Sequence, residues 1–170
     1  MQTVSSQGRA VDLYAAEAVE FRESLNRRVV ADTAGDVHRD LIVEFRASGG
    51  KLGGEFAGSP LLLLTTTGRK SGRRHTIPVL YTRDSDRYVV LASKAGAPTN
   101  PSWYHNLLAQ PRAIVELGDQ TFEVAVTVAA GEERERLFAQ HATQLPIYAE
   151  YQHQTTRAIP VLVLQRLSPV

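Results

Sequence analysis

Hydrophobic and polar positions change period along this chain. From Ala10 to Val30, Val11, Tyr14, Ala15, Ala18, Leu25 and Val29 fall largely at three- and four-residue steps with acids between them, which predicts an amphipathic helix. A second helix is expected after Asp36, with Val37, Leu41 and Phe45 on one side, ending at Gly49-Gly50. The glycine-rich stretch 49–58 reads as a linker. From Pro60 the spacing becomes that of strands, expected near 60–67, 74–83, 86–93, 112–118, 120–129 and 158–167. In the fifth, Phe122, Val124, Val126 and Val128 alternate with Thr121, Glu123, Ala125 and Thr127, as in a sheet with one wet face. Asp84-Ser85-Asp86 and Gly118-Asp119 read as hairpin turns. Short helices are expected from Ser102 to before Pro111, from Glu132 to Gln144 and from Pro146 to Thr155. The expected fold is α+β, a barrel of about six mostly antiparallel strands with N-terminal and inserted helices. Its parts are a helical appendage (1–48), a linker (49–59) and a main domain (60–170).

Composition removes several classes of function. Cysteine is absent, which excludes disulfides and thiolate chemistry. The longest apolar run is the four leucines 61–64, too short for a membrane span. With no apolar leader, a cytoplasmic protein is expected. Net charge is only +1, which argues against a general nucleic-acid-binding surface.

Against that neutral background one turn stands out. Arg69, Lys70, Arg73 and Arg74 crowd the Gly68–Arg74 turn between two strands, and no acid occurs between Glu55 and Asp84. Guanidinium forks, an ammonium, hydroxyls and free N–H groups in one small volume suit a phosphate or carboxylate, although an isolated turn of this kind is also compatible with a solvated basic hairpin. The glycine spacing is not that of a Walker loop.

Three other segments carry candidate chemistry. Ala92-Ser93-Lys94 ends a strand in small residues, which allows a flat ligand to approach the backbone. Ser102, read as a helix N-cap, precedes Trp103, Tyr104 and His105 in a first turn, where open N–H groups and aromatic rings suit an anion and a planar ring. For Trp103, core packing is an equal reading. His105 has no partner at metal-ligand spacing. Tyr148 and Tyr151 share a helix face, lining a pocket or packing inward. No triad and no carboxylate pair is visible, so a cofactor is expected to supply the chemistry.

In this order and spacing, Leu62-Leu63-Leu64-Thr65-Thr66-Thr67-Gly68-Arg69-Lys70-Ser71-Gly72, Ile77-Pro78, Tyr88 to Lys94, Pro101 to Leu107 and Tyr148-Ala149-Glu150-Tyr151-Gln152 resemble the deazaflavin-dependent nitroreductase and quinone reductase family. The resemblance covers about 44–167. It implies a split β-barrel holding coenzyme F-420, an 8-hydroxy-5-deazaflavin with a phosphodiester and glutamates in its tail. By position, Arg69, Lys70 and Ser71 would hold the tail; His75, Thr76, Ile77, Pro78, Val79 and Leu80 would run beneath the ring; and Leu91, Ala92, Ser93 and Lys94 would border it. Ser102, Trp103, Tyr104, His105 and Asn106 would complete the site, with Tyr148 closing it. Ser93, Tyr148 and Tyr151 are the implied catalytic residues, for hydride transfer from the reduced coenzyme to a quinone, a nitro-aromatic or an activated double bond. Members that activate nitroimidazoles carry further pocket tyrosines where this chain has Leu80 and Leu145. The apolar exchange favours a lipid-like quinone. Residues 10–46 are a candidate for peripheral membrane contact. A non-catalytic F-420 carrier and an FMN-dependent oxidase of the pyridoxamine-phosphate oxidase type remain as alternatives.

Overall fold

A computed structural model describes residues 34–54 and 57–168; the helix expected at 10–30 and the side chain of Val37 lie outside them. The elements run α1 (Ala34–Ala47), β1 (Leu61–Thr67), β2 (Arg74–Leu80), β3 (Thr82–Asp84), β4 (Arg87–Leu91), a 3₁₀ turn (Lys94–Gly96), α2 (Ser102–Ala109), β5 (Arg112–Leu117), β6 (Gln120–Val128), α3 (Gly131–Gln144), α4 (Ile147–His153) and β7 (Val161–Arg166). The strands form one sheet in the order β2-β1-β5-β6-β7-β4-β3, antiparallel at every junction.

One expected strand, 74–83, is divided. Tyr81 breaks it, so that β2 lies at one edge of the sheet and β3 at the other. Leu80 and Thr82 are two residues apart, so the chain spans at most about 7 Å between the strand ends. The two edges must therefore approach, and the sheet must curl. Seven strands replace the six expected, and the extra one is the device that closes the barrel.

Curling explains why β1 and β7 each open on four consecutive apolar residues, Leu61–Leu64 and Val161–Leu164. A strand covered on both faces has no position to spare for polar residues. Leu62, Leu64, Val90, Val115, Val124, Leu162 and Leu164 fill the concave core, into which α2 places Leu107. Leu61, Leu63, Leu80, Leu91, Val161 and Val163 face the other way, against Leu41 and Phe45 of α1, Leu137 of α3 and Ile147, Tyr148 and Tyr151 of α4. Burying each large side chain contributes about 1.5–3 kcal/mol. In β6, Phe122, Val124 and Val126 are buried as the alternation requires, but Val128 is exposed at the strand's end. The segment after α1 packs on the β5–β6 hairpin: a Cβ at Gly50 would stand 2.6 Å from Gly118 Cα. No helix among the described residues is long and apolar enough to cross a membrane.

Candidate active site

A cleft of about 630 Å³ opens along β2, within the range of small-molecule and cofactor sites. As an edge strand, β2 bonds to β1 on one side only. Tyr81 N–H donates to the Pro60 carbonyl (2.9 Å), which fixes the phase of the ladder. Odd-numbered residues of β2 turn their main-chain groups toward β1, while Thr76, Pro78 and Leu80 turn theirs to the open side. Pro78 lacks an N–H and is tolerated here because that position asks for none. His75, Ile77, Pro78, Val79 and Leu80 line the cleft, with Leu61 and Leu91 beside them. The Thr76 side chain departs from expectation: its hydroxyl bonds Thr65 Oγ1 across the strand pair (2.7 Å), outside the cleft, so only its main chain can serve a ligand there.

The basic turn sits at one end. Gly68 N–H donates to the Arg73 carbonyl (2.7 Å) and Gly72 N–H to the Gly68 carbonyl (2.9 Å). A Cβ at Gly68 would lie 2.5 Å from Ser71 Oγ and 3.0 Å from His75 Nε2, so a side chain there would displace both from their places in the turn. Asn106, on α2, holds the turn from below. Its Oδ1 accepts the Arg69 N–H (3.1 Å), and its Nδ2 donates to Thr66 Oγ1 (3.1 Å). Arg69, Lys70 and Ser71 reach the cleft, whereas Arg73 and Arg74 do not line it. Ser71 Oγ accepts the Arg73 N–H (3.1 Å). The four cationic side chains of the turn are exposed, and none forms an ion pair with a described residue. Four like charges without counter-charges are costly to gather, and a bound anion relieves that cost.

The end of β4 and the start of α2 complete the lining. Ser93 and Lys94 line the cleft, while Ala92 turns into the concave core, fully buried beside Val90. The helix begins at Ser102, with Pro101 rather than Ser102 as its N-cap and no side chain capping it. The Tyr104 N–H donates to the Pro101 carbonyl (3.1 Å), which leaves the N–H groups of Ser102 and Trp103 for whatever occupies the cleft. Ser102, Trp103 and Asn106 line the cleft; Tyr104 and His105 do not. Positions 102, 103 and 106 share a helical face, and 104 and 105 point off it. Tyr104 packs on the concave core, edge-on to the His105 ring (5.4 Å).

Tyr148 closes the far end, and Tyr151 stays behind it in the outer core, its ring edge-on at 5.7 Å. Sharing a helix face thus separates the two phenols rather than pairing them, because the cleft ends at Tyr148. Beneath Tyr148 lies His141, fully buried, its ring edge-on at 4.5 Å. Its Nδ1 pairs with Thr82 Oγ1 (2.7 Å), and Nε2 has no hydrogen-bond partner. Burial pushes its pKa down to about 3, so the imidazole is neutral at physiological pH. His141 and Arg157, which bonds the loop after β4, are the two polar groups that reading the sequence left without a role. Nothing near either in sequence signals its partner.

A curled antiparallel sheet whose edges meet beside a ligand-sized slot defines a split-barrel binding domain. The model of the F420H(2)-dependent quinone reductase family matches residues 37–166, and the chain belongs to that family. A protein of Mycobacterium tuberculosis named as an F420H(2)-dependent quinone reductase is 37% identical over 128 residues, covering 72% of this chain and 85% of the relative. Among solved structures, an F420-H2-dependent reductase superposes with a TM-score of 0.58 at 39% identity, covering 62% of this chain and 94% of that one. Another, described as a domain-swapped dimer, gives 0.61 at 35% identity, covering 75% and 93%.

Proposed function

We propose that this chain is a reductase that uses reduced coenzyme F-420 to reduce a quinone. The observation that carries this reading is one cleft that joins Arg69 and Lys70, which pair with no carboxylate among the described residues, to the apolar side chains of β2 and to Ser93 and Tyr148. A planar ring with an anionic tail suits such a lining. When bound, the reduced deazaflavin supplies a hydride, and a quinone takes it together with a proton.

The chain's own residues bind, orient and screen. Arg69 and Lys70 hold the tail through charge-assisted bonds. The outward main chain of β2 and the side chains of Ile77 and Val79 support the ring, with Trp103 against it. Such fixing of donor and acceptor can lower a barrier by about 7–11 kcal/mol without any side chain reacting. Ser93 hydroxyl donates a hydrogen bond where negative charge grows on the acceptor oxygen. Tyr148, the one phenol among the described residues lining the cleft, gives the proton in this reading. Leu80 and Leu61 make the acceptor side apolar, which favours a quinone over a polar nitro-heterocycle.

A fluorescence titration with oxidised F-420 and, separately, FMN tests the cofactor, followed by turnover of the reduced coenzyme with menadione. Deazaflavin binding at micromolar or lower concentration with menadione reduction supports the reading. Binding without turnover makes the chain a carrier, and binding of FMN alone makes it an oxidase of the related class.

A further inference from the structure

Arg157 lies between α4 and β7 and reaches back more than fifty residues in sequence. Its Nε donates to the Ala97 carbonyl (2.9 Å), Nη1 to the Ala92 carbonyl (3.3 Å) and Asn100 Oδ1 (2.7 Å), and Nη2 to the Ser93 carbonyl (2.7 Å). Every one of these partners is an uncharged oxygen. The guanidinium is half-buried. A half-buried cation that meets no carboxylate among the described residues keeps part of its desolvation cost uncompensated by any opposite charge, which makes it a weak device for stability alone.

The loop it grips is strained. Lys94 (φ 45°) and Ala95 (φ 53°) are left-handed without being glycine, and Gly96 (φ 78°) follows them. Such residues cost about 1–3 kcal/mol each and persist only where their surroundings over-determine them. Arg157 supplies the constraint on one side. On the other, a Cβ at Gly96 would meet the Tyr151 carbonyl and Gln154 Oε1 at 2.9 Å, so α4 closes against the loop. What the strained turn presents to the cleft is Ser93 and Lys94.

We propose that Arg157 is a positioning residue for the reduction: it clamps the Ser93–Gly96 loop so that the Ser93 hydroxyl stands at the reacting end of the cleft. This rests on the reductase reading above. Lysine is no substitute, because a compact ammonium with three donors does not span four oxygens held by a planar fork.

The test uses Arg157→Ala and, should that variant not fold, Arg157→Lys with the same measurements. In the coenzyme-free protein, amide exchange at Gly96 and Ala97, which donate to the Ser93 and Lys94 carbonyls (2.9 and 3.0 Å), is expected to quicken at least about tenfold while β1 amides are unchanged. In turnover, kcat is expected to fall about 100-fold with the F-420 Kd within about threefold of wild type, the signature of lost geometry rather than lost binding. Because Arg157 acts through the Ser93 loop, adding Ser93→Ala to Arg157→Ala is expected to cost nothing further. Additive losses, or exchange at Gly96 and Ala97 that stays at the wild-type rate in an active enzyme, overturn the clamp. Wild-type protein that neither binds F-420 nor oxidises its reduced form overturns the reductase reading instead.

Discussion

Two loops line the cleft, and they are built on opposite principles. The Gly68–Arg74 turn carries four exposed cations and satisfies few of them internally. The Ser93–Gly96 loop carries one cation behind it, bonded four times over, and a backbone pushed into sparsely populated conformations. The first keeps its interactions in reserve for a ligand. The second has used its interactions to fix a shape. On the proposed reading, affinity rests with the first loop and geometry with the second, and substitutions should separate them.

The largest effect is expected at the turn. Replacing both Arg69 and Lys70 with alanine removes two charge-assisted contacts at about 1.5–3 kcal/mol each, weakening F-420 binding by about 100-fold or more. The melting temperature should move little, and the gap between wild type and variant should narrow as salt rises. A salt-independent loss, or a collapse in stability, would break the division of labour. His141, beneath Tyr148, extends the comparison to the protein's pH response. Its folded pKa of about 3 lies below the ordinary 6.5, so the unfolded chain binds the proton more readily. Stability is therefore fully present above pH 6.5 and falls as pH drops toward 3, by about 1.4 kcal/mol per unit from this group. Urea unfolding across that window checks it, and His141→Gln should flatten the slope.

Two glycines sharpen the contrast at smaller cost. Gly96→Ala adds a methyl 2.9 Å from a main-chain oxygen at φ +78°, and a loss of about 3 kcal/mol in unfolding free energy is expected. Gly72→Ala, at φ +69° with nothing within 4 Å, bears the backbone term alone, about 1 kcal/mol. Equal losses at the two sites would show that the loop after β4 is no more tightly packed than the basic turn.

The sequence made local rules legible and tertiary ones not. The strands, both hairpin turns and the α+β barrel follow from periodicity and from glycine and aspartate placement. The break at Tyr81 does not, because an aromatic residue continues an apolar strand pattern while closure is decided by sheet curvature. The cleft's basic end was readable because Gly68, Arg69, Lys70 and Ser71 are neighbours in sequence. Tyr104 and His105 were drawn in by that same adjacency, and helical geometry turns them away. Ala92 fails through strand alternation, and the Thr76 side chain because its hydroxyl is spent on Thr65 across the strand pair. Asn106 was expected at the ligand; it lines the cleft, but both ends of its amide are committed to the turn and to Thr66. Arg157 was beyond reach: polar neighbours such as Thr155 and Thr156 made it look like an ordinary surface cation, and its partners lie on a loop no local pattern connects to it.

The position of Pro78 has a consequence outside catalysis. An edge strand with open main-chain groups is a template on which a second chain can extend the sheet, the first step toward uncontrolled association. A binding slot that depends on that edge cannot be covered by a permanent helix. Proline at its centre deletes the one donor a docking strand would look for there, so the edge admits a flat small molecule but interrupts any intermolecular ladder. The residue that leaves the slot accessible thus also weakens this edge as a template for a second strand.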